Sequence, residues 1–179
     1  SEERELARRI AAQDQMAMNQ LVEQYGDVLF RTSMLVLKDV QLAEDVVQET
    51  FITAYRKIRQ YNGEGSLKAW LVAIALNHGR SIMRRAWWKR LTLRDMESEQ
   101  LSSHHLNPEH QVMDRALMNE IYKLPYPYRE VIVLYYYQDM TLHEIAGLLN
   151  EREGTVKTRL FRARQRLKKE LRGGEWFDA

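Results

Sequence analysis

A chain of 179 residues has room for one large domain or two small ones, and 45% hydrophobic with 29% charged residues suits packed cores rather than disorder. The absence of cysteine excludes disulfides, thiolate metal sites and cysteine nucleophiles together, and the absence of any run of 18 apolar residues excludes a transmembrane helix. Three prolines, eight glycines and a net charge of +2 favour long helices over turn-rich β architecture and argue against a uniformly basic surface.

The sequence opens on the charged stretch Ser1-Glu-Glu-Arg-Glu, which has no signal-peptide core and no initiator Met, and so reads as a trimmed or engineered start. A cytoplasmic protein without membrane insertion is expected. From Met18, the residues Leu21, Val22, Tyr25, Val28 and Leu29 recur at helical spacing until Lys38-Asp39 breaks the pattern. A second helix is predicted over Gln41–Ile58, with Ala43, Val46, Val47, Phe51, Ala54, Tyr55 and Ile58 along its inner stripe and Asp45, Gln48 and Glu49 on the other side. This region is acidic: Asp39 to Thr50 holds Asp39, Glu44, Asp45 and Glu49 and no basic residue.

Asn62-Gly63-Glu64-Gly65-Ser66 has the composition of a turn. A third helix is predicted from Ser66 to about Trp88, with Leu67, Trp70, Leu71, Ile74, Ala75 and Ile82 inward and Asn77, Arg80, Ser81 and Arg84 on the opposing stripe. Arg80 to Arg94 carries Arg80, Arg84, Arg85, Lys89, Arg90 and Arg94 and no acid. Residues 92–110 are polar and nearly aperiodic and read as a linker, the alternative being an ordered surface loop. His104, His105 and His110 fall in it; a metal site there is weaker than the ordinary reading as surface histidines.

Periodicity returns at Val112, Ala116, Leu117, Ile121 and Leu124, and Pro125 and Pro127 stop that helix. Arg129–Tyr137 is rich in aromatic and β-branched residues and could pass for a strand, but one strand has nothing to pair with in a helical chain, so a buried helix is expected. The fold class that results is all-α: two small helical domains, 1–91 and 111–179, joined by the polar linker 92–110.

The second domain carries a helix-turn-helix pattern between Thr141 and Arg172. Thr141-Leu-His-Glu144 has the form of a capping box, and Leu142, Ile145, Ala146 and Leu149 make one apolar face. Asn150 and Gly154 allow a tight turn, and a second helix is expected to start near Thr155 with Val156, Leu160, Ala163, Leu167 and Leu171 inward. Its outward set is Lys157, Thr158, Arg159, Phe161, Arg162, Arg164 and Arg166. Such a helix fits the major groove, where Arg pairs with guanine O6 and N7 and Phe161 or the Thr158 methyl can meet a thymine methyl. The later cations would meet phosphates, and about six such contacts would give a salt slope near −5. The alternative is an amphipathic helix with a solvated basic face. The capped short helix, turn and inward stripe favour DNA binding.

Four segments occur in order: Ala43-Glu-Asp-Val-Val-Gln-Glu-Thr-Phe51, Ala69-Trp-Leu-Val-Ala-Ile-Ala-Leu-Asn77, Leu124-Pro-Tyr-Pro-Tyr-Arg-Glu-Val-Ile-Val-Leu134, and Glu144-Ile-Ala with Gly154-Thr-Val-Lys-Thr-Arg-Leu-Phe-Arg-Ala-Arg164. Together they resemble the extracytoplasmic-function sigma factors of bacterial RNA polymerase, over about residues 10–172. The resemblance implies a first domain that binds and opens the minus-ten element, a linker, and a helix-turn-helix domain that reads the minus-thirty-five element. It implies core RNA polymerase as a partner (the β′ clamp helices and the β flap), promoter DNA as another, and an anti-sigma factor as a regulator.

By the same resemblance, Asp45, Gln48 and Glu49 would bind the clamp helices; a solvated helix face is the plain alternative. Tyr61, Asn62, Gly63 and Ser66 with Asn77 would form the pocket of a flipped base, with Arg80, Ser81 and Arg84 along the DNA backbone. Trp87 and Trp88 would either stack on bases or duplex, or one of them caps the domain core. Lys157, Thr158, Arg159, Phe161 and Arg162 match the minus-thirty-five readers. Glu151-Arg-Glu-Gly154 departs from the family, where a small or apolar residue is common before the glycine; the extra acid would weaken phosphate contacts or bind another protein.

No catalytic residue, cofactor or metal is expected. His143-Glu144 lacks the second His of a zinc protease motif, and no phosphate loop or nucleophile triad is present. The competing readings are a one-component or response-type regulator, whose sensor or dimerisation surface the first hundred residues do not supply, and a basic protein-interaction adaptor.

Overall fold

The computed structural model describes the backbone of residues 1–92 and 115–171, and the side chains of all of these but 86–92. Every element among the described residues is a helix, and the chain divides into two compact units, Ser1–Ser102 and Ser103–Ala179. The all-α expectation with two helical domains therefore holds. Beyond Thr92 the polar stretch, with His104, His105 and His110, lies outside the described residues, as do Val112 and the side chains of Trp87 and Trp88.

The first unit begins with a helix that the periodicity does not announce. α1, Glu2–Ala11, starts on Ser1, whose hydroxyl accepts from the Arg4 N–H at 3.4 Å. Its apolar stripe is only Leu6, Ala7 and Ile10, all buried, and the acids of its first turn with the arginines of its last obscure that stripe. The same acid-first, base-last order suits the helix dipole. Gln13, at φ +63°, turns the chain, and Asp14 caps α2, Gln15–Leu37, by accepting from the Met16 and Ala17 N–H groups.

The break expected at Lys38-Asp39 is there. Lys38 ends α2 in the left-handed region at φ +62°, and the Asp39 carboxylate accepts from the Leu42 N–H at 2.9 Å to start α3, Val40–Lys57. One 3-10 turn, Ile58–Gln60, follows, and after the loop 61–66 comes α4, Leu67–Thr92. α2, α3 and α4 pack on one another around Leu21, Leu29, Val46, Ala54, Leu67 and Leu71, each under 2% exposed. The buried Thr50 hydroxyl donates back to the Val46 carbonyl at 2.6 Å, so it enters the core without an unpaired donor.

Two residues expected on inner stripes face solvent instead: Tyr55 is 46% and Val22 43% exposed. Each follows a fully buried residue, Ala54 or Leu21, by one step of about 100°, which puts it at the margin of the stripe.

In the second unit, α5 spans Arg115–Lys123 and buries Leu117 and Ile121, whereas Ala116, expected inward, is exposed. The two prolines do more than stop α5. Pro125 is the N-cap of α6, Tyr126–Ile132, and Pro127 lies in its first turn, where a missing N–H costs nothing. Arg129 is buried and donates to the Leu124 carbonyl at 2.8 Å and the Tyr122 carbonyl at 3.4 Å, satisfying the C-terminal end of α5. Burial pushes its pKa down, while Tyr126 and Tyr122 oppose that.

α6 continues directly into a π-helical turn, Val133–Tyr137, closed by the Gln138 N–H donating to the Val133 carbonyl at 3.2 Å. The buried helix expected over Arg129–Tyr137 is thus present, with a wider last turn that fans out three tyrosines.

α7, Leu142–Leu149, carries the reciprocal capping box: the Glu144 N–H donates to Thr141 Oγ1 at 3.1 Å, and the Thr141 N–H to Glu144 Oε2 at 2.8 Å. Asn150, at φ +54°, ends it, and α8 runs from Glu153 to Glu170. α8 therefore starts before Thr155, on Arg152 and with no side-chain cap, and Gly154 sits inside its first turn; Asn150 alone supplies the left-handed residue of the turn.

The box fixes where α7 begins, and with it the angle at which α8 is presented. Thr141→Ala should cost about 1 kcal/mol, seen in chemical denaturation as a lower midpoint for the second unit's transition with that of the first unit unchanged.

Candidate nucleic-acid interface

On α3, Asp45, Gln48 and Glu49 are all exposed, while Ala43, Val46 and Thr50 between them are buried. Gln41 donates to Asp45 at 3.2 Å and steadies it. The acidic face does not end in plain solvent. It runs on to Ile52, 37% exposed, and Tyr55, 46% exposed. Acid beside exposed apolar surface suits a protein partner better than water alone. The sequence reading missed this apolar half because it assigned Tyr55 to the core.

The loop 61–66 is folded tightly. Tyr61 is buried, its ring tilted against Trp70 at 5.9 Å, so it shapes the loop rather than presenting itself to a base. Its hydroxyl lies 3.0 Å from the Gly65 carbonyl and 3.2 Å from Glu3 Oε2. Asn62 is exposed, but its Oδ1 already accepts from the Glu64 N–H at 2.8 Å. Gly63 and Gly65 have φ of +78° and +73°, a region L side chains enter only at a cost. Ser66 caps α4, accepting from the Ala69 N–H at 3.0 Å.

Along α4, Asn77 and Arg84 are exposed, and Arg80 and Ser81 half-buried. They share one face by their three- and four-residue spacing. Ser81 also receives Arg85, whose guanidinium reaches its carbonyl and hydroxyl at 3.5 Å. Asn77 lies ten residues beyond Leu67, about 15 Å along the axis at 1.5 Å per residue, or about four stacked bases at 3.4 Å. Of these residues, Tyr61 is buried, while Asn62, Ser66 and Asn77 are exposed. On α4's flank, His78 Nε2 and Thr53 Oγ1 meet at 2.9 Å and tie α4 to α3, a contact with no signal in the periodicity.

On α8, Lys157, Thr158, Phe161 and Arg162 are exposed, Phe161 by 60%. Thr158 donates to the Gly154 carbonyl at 2.9 Å, so its hydroxyl is engaged along the helix. Arg159 differs: it pairs with Glu151 at 3.0 Å and is only 25% exposed. The acid in the turn is thus spent on orienting one of the expected readers. Glu153 faces His143 at 3.5 Å.

Arg164 and Arg166, expected to be outward, are engaged by tyrosines. Arg164 donates to the Tyr136 hydroxyl at 2.5 Å and lies 5.2 and 5.4 Å from the Tyr135 and Tyr136 ring centres; Arg166 stacks on Tyr128 at 5.0 Å. Between α6 and α8 runs an open groove of about 580 Å³, lined by Pro125, Pro127 and Tyr128 on one side and Thr158, Arg162 and Arg166 on the other.

Residues 21–89 match the Sigma-70 region 2 family and residues 114–167 the Sigma-70 region 4 family. Over 155 residues the chain is 34% identical to the ECF RNA polymerase sigma factor SigM of Bacillus subtilis (strain 168), covering 86% of this chain and 94% of that one. The chain belongs to the ECF sigma factors. A second member, SigW of the same organism, is 35% identical over 174 residues, covering 89% of this chain and 91% of its own.

Among solved structures, CnrH in complex with the cytosolic domain of CnrY has a TM-score of 0.66 at 28% identity, covering 94% of this chain and 96% of that one. The sigma factor RpoE of Bartonella quintana, crystallised with the anti-sigma factor NepR, shares the fold with a TM-score of 0.76 at 24% identity, covering 87% and 97%. As an ECF sigma factor, the chain directs RNA polymerase to promoters. The acid–apolar α3 face and the α4 face fall in its region 2, and the helix-turn-helix in its region 4.

The glycine of the loop gives a direct check on its geometry. A Cβ at Gly63 meets both a positive φ and the Arg4 side chain. Gly63→Ala should therefore destabilise the first unit by about 1–2 kcal/mol, whereas Gly147→Ala, with open space around it in helix α7, should be stabilising by up to about 1 kcal/mol. Denaturant titration of the two variants should give opposite signs.

Proposed function

We propose that this ECF sigma factor docks on core RNA polymerase through Asp45, Gln48 and Glu49, with Ile52 and Tyr55 supplying apolar contact. The loop Asn62–Ser66 takes one base of the opened minus-ten strand. Asn77 takes another, its amide both donating and accepting, and Arg80, Ser81 and Arg84 follow the backbone. Lys157, Thr158, Phe161 and Arg162 read the minus-thirty-five duplex in the major groove, while Arg159, held by Glu151, has a narrower role.

The observation that carries this reading is the pairing, in one chain, of a solvent-facing reader set on α8 with an acid–apolar face on α3. DNA recognition alone needs only the first. Within this reading the polymerase performs the chemistry and the chain selects the start site, so no catalytic group is assigned to it.

The division at residues 91 and 110 separates the two promoter grips. RpoE was crystallised with the anti-sigma factor NepR and CnrH with the cytosolic domain of CnrY, and a regulator of that kind is proposed for this chain. No helix among the described residues is long and apolar enough to cross a membrane, which suits a cytoplasmic site of action.

Retention of the purified chain on immobilised core polymerase, followed by run-off transcription from a selected promoter, tests the whole reading; a chain that neither binds core nor yields a discrete start refutes it. Within that assay, Asn77→Ala should slow promoter opening with core affinity unchanged. Arg162→Ala should weaken minus-thirty-five recognition by about 1–3 kcal/mol. Glu49→Arg should lose core retention while isolated duplex binding persists.

A further inference from the structure

The residues that hold the loop 61–66 in shape come from α1, far away in sequence. Glu3 Oε2 accepts from the Leu67 N–H at 3.2 Å and lies 3.2 Å from the Tyr61 hydroxyl. One carboxylate therefore grips the residue that opens the loop and the residue that closes it. The Leu67 N–H is among the donors that a helix N-terminus leaves without an intrahelical partner, and a carboxylate is favoured there by the helix dipole. The neighbouring Arg4 donates to the Gly63 carbonyl at 3.5 Å and lies where a Cβ at Gly63 would stand.

Gly63 and Gly65 are the residue type with the widest backbone freedom, and between the Tyr61 ring on Trp70 and the Ser66 cap the loop's own restraints are the Asn62 turn and the Tyr61–Gly65 contact. Tyr61 has one proton for two acceptors, so its hydroxyl is a donor shared between Glu3 and the Gly65 carbonyl. Burial, and then the Glu3 charge, raise the Tyr61 pKa above its ordinary value.

We propose that Glu3 and Arg4 of α1 are positioning residues for base selection at the minus-ten element: they touch no DNA, and they hold the loop 61–66 in the one shape that accepts the preferred base. The inference rests on the reading that this loop receives an unstacked base. A selective pocket needs its walls fixed before the base arrives, because a loop that adapts to every base repays each equally. Glu3 acts by closing the loop across its ends, and Arg4 by supporting its floor beneath Gly63.

The test uses the chain of residues 1–179 assembled with core polymerase, on a selected promoter and on single-base variants across its minus-ten element, with the rate of promoter opening as the readout. Glu3→Ala should reduce the preference for the favoured base by about tenfold, the scale of one or two hydrogen bonds to a charged group. Core affinity and minus-thirty-five duplex binding should not change. Glu3→Gln, whose amide oxygen still accepts from both donors, should restore most of the preference. Tyr61→Phe, which removes only the hydroxyl, should lose part of it, and it gives a second measure if Glu3→Ala folds poorly.

Unchanged selectivity in Glu3→Ala, with selectivity lost in Asn62→Ala, overturns the role of Glu3 and leaves the loop as the pocket. Unchanged selectivity in both overturns the pocket reading and this inference with it. A Glu3→Ala variant that loses core affinity and base preference in parallel, with no rescue by Glu3→Gln, makes Glu3 a general support of the fold and refutes the proposal.

Discussion

A helical chain must satisfy the free N–H groups at each helix start, and this one does so with short side chains at five of its helices, although α8 starts on Arg152 without one. Ser1, Asp14, Asp39, Ser66 and Thr141 each accept from the turn they precede. Asp39 sets the first residue of α3, and the helical period then decides that Asp45, Gln48 and Glu49 point away from the Val46–Ala54 core. Ser66, with Glu3 beside it, sets the start of α4 and so the rotation of the Asn77 face. The Thr141–Glu144 box sets α7, and Asn150 sets the turn that aims α8. A shift of one residue at any of these caps would turn the face behind it by about 100°.

Charge is distributed with the same economy. The near-neutral total of +2 contains several cations that have partners within the chain. Arg8 pairs with Glu5 at 2.6 Å, Arg9 with Asp14 at 2.8 Å and Arg159 with Glu151 at 3.0 Å, while Arg164 and Arg166 lie on tyrosine rings. The exposed pairs contribute little stability, since solvent screens them.

Much of this was legible in the sequence because it rests on local rules. The capping box at Thr141, the break at Lys38-Asp39 and most of the inner stripes of α3, α4 and α8 follow from residue type and a period of 3.6. What failed depends on tertiary neighbours. α1 has a stripe too short to stand out from its charges, and its use to the loop appears only when Glu3 meets Tyr61 and Leu67, 58 and 64 positions later. Tyr61 looked like a loop residue and is buried against Trp70. Arg164 looked outward until the π-helical turn brought Tyr135 and Tyr136 to it, and a single-sequence pattern carries no sign of a helix that widens by one residue in its last turn.

The helix-turn-helix is the strongest local signal in the chain, yet it is the less informative half of the function. A capped α7, a left-handed Asn150 and an exposed reader set on α8 describe a DNA-binding module of many kinds. The α3 face narrows it, because a surface of acid, Ile52 and Tyr55 is poorly suited to DNA and well suited to a protein.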